Sequence, residues 1–207
     1  GYREFSDDEL DKILKFLISV RDFYLEIAGL FTLNLFGNIS LEKETIFSDF
    51  VFNDGKLNDD AIRGGLLFYG KAKCSSCHSG TLFSDLDFHS IPYPQVGFGK
   101  NGFGVDYGRF NVTYDPDDLY KFRTPPLINV EFTKPYSHSG SVFDLKEAIR
   151  YHFDPLKNLD LQNISDLERV EMYKKLKISG QNINQIPYLD ENELDQLVEF
   201  LKTLSFK

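Results

Sequence analysis

The sequence predicts a mostly α-helical fold interrupted by one long loop region. Three observations predict it. Apolar residues recur at helical spacing behind capping residues in several separate stretches. Residues 80–120, by contrast, show little periodicity and are dominated by Gly, Pro, Asp and aromatics. Hydrophobic residues make up 42% of a 207-residue chain, enough for the core of one large domain or of a domain with an extra helical arm.

The first helix opens at Ser6-Asp7-Asp8-Glu9. Ser6 can cap it, Glu9 stands three residues later, and acids fill its first turn. Leu10, Ile13, Leu14 and Leu17 then share a face. The end of the chain repeats this text. Asn192-Glu193-Leu194-Asp195 answers Asp8-Glu9-Leu10-Asp11, and Glu199-Phe200-Leu201 answers Lys15-Phe16-Leu17. Two explanations are open: the opening helix closes a preceding unit of the same kind, or two acidic amphipathic helices simply resemble each other. Residues 21–58 read as helical and then loop-like, with a turn at Asn53-Asp54-Gly55. Asn58-Asp59-Asp60 starts a helix over 61–69 that stops at Gly70. Two further helices are predicted over 144–153 and 166–176, before the terminal one. Residues 1–44 form an expected N-terminal helical segment, and 45–207 the expected main domain.

The helix over 61–69 delivers Cys74-Ser75-Ser76-Cys77-His78. This run is the attachment signature of a c-type haem: two thiols form thioethers and the adjacent histidine becomes the proximal iron ligand. The chain has no other cysteine, so the motif uses the whole supply. A redox dithiol would want a βαβ context that the pattern does not show. A zinc site would need two further soft ligands, and no second Cys pair exists. The reading is therefore a class I-like cytochrome c domain whose long loops wrap one covalent haem. Such attachment implies maturation outside the cytoplasm, in the bacterial periplasm or its equivalent, and hence a processed chain.

The formal charge of −9 argues against nucleic-acid binding, which needs clustered Lys and Arg. It fits either steering toward a basic redox protein or plain solubility. Phe23 to Ile39 is apolar but too short and too interrupted for a membrane span. Gly97-Phe98-Gly99-Lys100-Asn101-Gly102 matches a dinucleotide fingerprint by letter only, with no strand before it or helix after it. The sequons at Asn38, Asn111 and Asn163 receive no function.

With His78 as proximal ligand, the candidates for the other iron face are His89, His138, His152 and the single methionine, Met172. His152 ends a helix among aromatics, which suits a ligand but also suits a histidine answering the helix dipole. Met172 sits where either a ligand or a core filler would sit. His89 and His138 lie in loops. Arg109 and Arg123 are candidates for haem propionates, or for ordinary pairs with nearby Asp residues.

Several motifs fall in order: Arg63-Gly64-Gly65-Leu66-Leu67-Phe68, the Cys74–His78 run, Phe83-Ser84-Asp85, Phe88-His89 and Asp106-Tyr107-Gly108-Arg109. Phe122-Arg123-Thr124-Pro125-Pro126-Leu127 and Thr133-Lys134-Pro135-Tyr136-Ser137-His138-Ser139-Gly140 follow. Over residues 45–207 this series resembles the C-terminal, electron-relay haem domain of the bacterial di-haem cytochrome c peroxidase and MauG family. The resemblance implies that the helix after the Pro-Tyr-x-His loop supplies the second axial ligand, a slot that falls on His152 and gives a bis-histidine haem. It also implies a partial calcium site through backbone oxygens of Thr133 and Pro135. Three departures stand out. Only one Cys-x-x-Cys-His exists, no Trp exists to lie between two haems, and Leu127-Ile128-Asn129 lacks the family's central Arg. The peroxide-reacting haem then belongs to another domain or subunit, or has been lost.

The expected function is therefore an electron-transfer cytochrome, as a mono-haem domain or subunit. The alternative is part of a peroxidase or MauG-like oxidoreductase acting on hydrogen peroxide, with His138 as its acid-base group. A third class is a haem module without turnover of its own.

Overall fold

A computed structural model describes residues 6, 8–16, 45–95, 105–157, 165–179 and 187–207. Most of the expected 1–44 segment, the stretch Phe23 to Ile39, the glycine run 97–102 and the sequons Asn38 and Asn163 lie outside the described residues. The chain divides into two compact units. One holds Gly1–Asp85, Pro126–Glu131 and Glu191–Lys207, and the other holds Leu86–Pro125 and Phe132–Asp190. The described secondary structure is mostly helical, with one two-stranded sheet.

The first unit is helical. Helix α1 covers 8–16, α2 Ile46–Phe52, α3 Asp59–Tyr69 and the terminal α7 Glu191–Lys202. Helices α4 to α6 belong to the second unit. The capping logic read from sequence is present in α1, where Ser6 Oγ accepts from Glu9 N–H (3.4 Å) and Glu9 accepts from Ser6 N–H (2.9 Å). In α3, Asn58 accepts from Ala61 N–H at 2.8 Å, and Gly70 N–H closes the last turn on Leu66 O at 2.9 Å. Helix α2 falls within residues 21–58, expected to be helical and then loop-like, and it ends at the expected Asn53-Asp54-Gly55 turn. A reciprocal Thr45–Ser48 box starts it, and its Phe47 and Phe50 are buried.

Helices α3 and α7 pack closely because Gly64 has no side chain. A Cβ placed there would meet the Gln196 carbonyl oxygen at 1.9 Å. Around that crossing lies a phenylalanine core. Phe200 touches Phe68 (ring centroids 5.0 Å apart) and Phe47 (5.2 Å), and Phe83 meets Phe47 edge-on at 5.7 Å. Leu14, Leu194, Leu197 and Leu204 complete it, all buried. The Leu-Ile-Asn stretch is fastened to the chain's end: Asn129 N–H donates to Leu204 O (3.1 Å), and Asn129 Oδ1 accepts from Phe206 N–H (2.9 Å).

The second unit is mostly loop, as its composition predicts. Strands β1 (Phe88–His89) and β2 (Phe122–Arg123) pair antiparallel, with Phe88 opposite Arg123 and His89 opposite Phe122. Its helices are α4 (Phe110–Thr113), α5 (Leu145–Arg150) and α6 (Asp166–Ile178). Helix α5 is shorter than the 144–153 expectation. Asp144 caps it through Glu147 N–H at 3.0 Å, but it ends before His152, which lies in the following turn. Val142, Ala148 and Tyr151 form a small core with Tyr93 and Tyr136 packed on it. Met172 is buried on α6, whose inward face also carries Glu171 and Lys175. Glu171 accepts a short hydrogen bond from the buried Tyr120 hydroxyl and one from Lys174 (2.9 Å). Burial alone would raise the Glu171 pKa, but these donors outweigh it and hold the carboxyl below the usual range. No described helix is long and apolar enough to cross a membrane.

Candidate functional site

Cys74, Cys77 and His78 stand on one tight turn of the first unit. Cys74–Ser76 is a 3₁₀ turn entered through Lys73 in the left-handed region (φ 55°), and His78 N–H returns to Cys74 O at 2.9 Å. No disulfide joins Cys74 to Cys77. Burial pushes the Cys74 thiol up to about 12.

His78 is oriented from downstream. Its Nδ1 lies 3.0 Å from the Phe83 carbonyl oxygen. A carbonyl can only accept, so Nδ1 carries the proton and Nε2 carries the lone pair. The loop that supplies this carbonyl is folded back on itself. Phe83 N–H donates to Gly80 O (3.0 Å), Ser84 N–H to Ser79 O (2.8 Å) and Asp85 N–H to Cys77 O (2.7 Å). Phe83 adopts a positive φ of 52°, which seats its ring in the phenylalanine core while its carbonyl serves the histidine.

His152 is oriented in the same chemical way. Its Nδ1 lies 3.0 Å from Ala148 O, one turn back on α5, which again leaves the lone pair on Nε2. In each histidine the carbonyl behind Nδ1 sets the tautomer whose ligating nitrogen is Nε2, the form a haem-iron ligand uses. His78 belongs to the first unit and His152 to the second.

The remaining sequence candidates fall into local structures of the second unit. His138 Nε2 lies 2.8 Å from Asp106 Oδ2, and its ring stacks on Phe122 (centroids 3.9 Å apart). Asp106 is almost fully buried and also accepts from Gly108 N–H and Asn111 Nδ2, both at 2.8 Å. The sequence reading missed Asp106 as the partner of His138. The signal was there in the turn-forming Asp-x-Gly, whose aspartate bonds its own backbone two residues on. The sequon residue Asn111 is part of this scaffold. Arg109 pairs with Asp118 at 3.0 Å and lies over the Phe88 ring. Arg123 donates from Nε to Leu86 O at 3.1 Å. His89 lies on β1. Among the described residues, no group of three or more His, Cys or carboxylate ligands gathers at Thr133 or Pro135.

No family model matches the chain. Individual proteins do. It is 30% identical over 172 residues to the cytochrome-c peroxidase IdrP1 of Pseudomonas sp. (strain SCT), a match covering 72% of this chain and 41% of that protein. It is 36% identical over 106 residues to the cytochrome c551 peroxidase of Pseudomonas aeruginosa, covering 50% and 30%. It is 35% identical over 101 residues to the methylamine utilization protein MauG of Methylorubrum extorquens, covering 49% and 27%. Among solved structures, a MauG-like protein associated with microbial copper homeostasis superposes with a TM-score of 0.61 at 26% identity, covering 80% of this chain and 53% of that one. The diheme peroxidase BthA of Burkholderia thailandensis shares the fold, with a TM-score of 0.60, covering 78% and 46%. The ordered motifs and the matching fold define a domain of the cytochrome c peroxidase type. The chain belongs to the di-haem cytochrome c peroxidase and MauG family. It spans less than half the length of IdrP1.

Proposed function

We propose that this chain is an electron-transfer cytochrome domain carrying one haem c on Cys74 and Cys77. His78 is its proximal ligand and His152 its second axial ligand. The observation that carries the reading is the shared arrangement of the two histidines, each with Nδ1 on a backbone carbonyl, which sets the tautomer that ligates through Nε2. The haem, when bound, supplies a reversible ferric–ferrous couple. The chain's residues do the rest. Two carbonyls fix the imidazole tautomers and raise their basicity, and His78 and His152 together would close a bound iron to peroxide. Two imidazoles lower the potential relative to a His/Met pair.

The relatives' names support a place for this domain in a peroxidase or MauG-type assembly; the peroxide-reacting haem is then in another domain or subunit, and the thioether attachment implies a periplasmic location. Arg109 and Arg123 are proposed as propionate partners, Arg109 by exchanging Asp118. A calcium ion on the Thr133 and Pro135 carbonyls is proposed from the family resemblance alone.

A second reading has one observation of its own, the Asp106–His138 pair. A buried carboxylate holding a half-exposed imidazole is the usual build of an acid-base group, and it would serve peroxide chemistry at this domain's own iron. Optical spectra of the oxidised holoprotein, before and after hydrogen peroxide, decide between them. An unchanged six-coordinate spectrum supports the carrier. A high-spin component consumed by peroxide overturns it in favour of the enzyme.

A further inference from the structure

The Ala148 carbonyl serves two side chains. It lies in the last turn of α5, where carbonyls lose their helical partners. The His152 N–H, which would be that partner, donates instead to Ile149 O at 3.0 Å. Ala148 O then accepts from the Tyr93 hydroxyl at 2.6 Å as well as from His152 Nδ1 at 3.0 Å. The two donors are 3.4 Å apart, and the two rings meet edge to face, with centroids 5.7 Å apart and planes at 88°.

Tyr93 is itself held firmly. Its backbone carbonyl accepts from Lys175 Nζ at 3.2 Å, and its ring packs on Tyr151 at 5.2 Å. Its hydroxyl faces a carbonyl, which can only accept, so the tyrosine is the donor.

An imidazole that donates through Nδ1 to a good acceptor becomes more basic at Nε2, and a more basic ligand favours ferric iron. An acceptor that already receives a short hydrogen bond is a poorer acceptor for the next donor. We propose that Tyr93 is a positioning residue for His152: by sharing the Ala148 carbonyl it fixes the imidazole plane and limits the ligand's basicity, which raises the potential of the iron at Nε2. This rests on His152 being the second axial ligand. The edge-to-face contact sets the ring's rotation about the Nε2 axis, and the shared carbonyl sets its electron donation.

The test uses the holoprotein with its covalent haem. Tyr93→Phe keeps the ring and removes the donor, and Tyr93→Leu serves if the first variant folds poorly. Each is read by redox titration and by low-temperature EPR, beside His152→Ala. The expected result is a low-spin signal that persists with shifted g values, and an equilibrium moved toward the ferric form by roughly threefold to tenfold, the latter being 59 mV for a one-electron couple. Lower thermal stability with potential and g values unmoved overturns the role of Tyr93 and leaves His152 as ligand. A His152→Ala spectrum identical to wild type overturns the axial assignment itself, and the Tyr93 proposal with it.

Discussion

His78 and His152 reach the same chemical state by different construction. The His78 carbonyl comes from Phe83, five residues downstream, across a loop closed by three backbone hydrogen bonds and anchored by a ring in the first unit's core. The His152 carbonyl comes from one turn back on its own short helix and is shared with a tyrosine. The first arrangement is held by burial of a large aromatic, so it moves only if that core moves. The second is held by hydrogen bonds at a helix end, where a single hydroxyl can adjust the ligand. A fixed side and an adjustable side suit a carrier whose potential must be set without loosening its attachment.

The largest expected effect comes from removing attachment. Cys74→Ala with Cys77→Ala should yield protein without covalent haem, seen by intact mass and by haem staining of a denaturing gel. Next, Gly64→Val forces a side chain into the Gln196 backbone and should cost about 3 kcal/mol or more in urea unfolding. If the holoprotein tolerates it, the close α3–α7 crossing is not what seats the Cys74–His78 turn. Phe83→Ala should cost about 3 kcal/mol through the lost core ring and should disturb the His78 ligation. Tyr93→Phe should alter the potential with little loss of stability. That contrast is the sharpest form of the fixed-versus-adjustable difference.

A smaller effect is expected within the second unit. Tyr120→Phe leaves the buried Glu171 without its hydroxyl donor and should cost about 2 kcal/mol at neutral pH, measured by thermal unfolding of the holoprotein. The sign with pH follows from the lowered Glu171 pKa. The carboxylate's contribution is complete above the ordinary glutamate value near 4.5 and fades as pH falls through the lower folded value. The Tyr120→Phe penalty should therefore shrink in acid. Arg109→Gln should change stability by less than about 1 kcal/mol, because its pair with Asp118 is half-exposed.

Much of this was legible in the sequence because local chemistry announces itself. Ser6 with Glu9 and Asn58 before α3 cap where their side chains predict. The Cys74–His78 run and the ordered motifs named the family before any geometry was seen. What stayed hidden depends on long-range placement. No pattern linked Phe83 to His78 through a left-handed backbone, since a positive φ at phenylalanine is disfavoured and is held by the core around it. Asp106 and His138 are thirty-two residues apart, and Tyr93 and His152 fifty-nine. The inward face of helix α6 was not legible either. It carries Glu171 and Lys175 beside Met172, and these pair with Tyr120 and the Tyr93 carbonyl rather than with solvent.

The central claim is that two carbonyl-oriented histidines hold one iron. A low-temperature EPR spectrum of the oxidised holoprotein, beside that of His152→Ala, tests it most directly. The account predicts a low-spin ferric signal of the bis-histidine type that gives way to a high-spin signal in the variant. A wild-type spectrum that is already high-spin, or a low-spin signal that His152→Ala leaves intact, would contradict it.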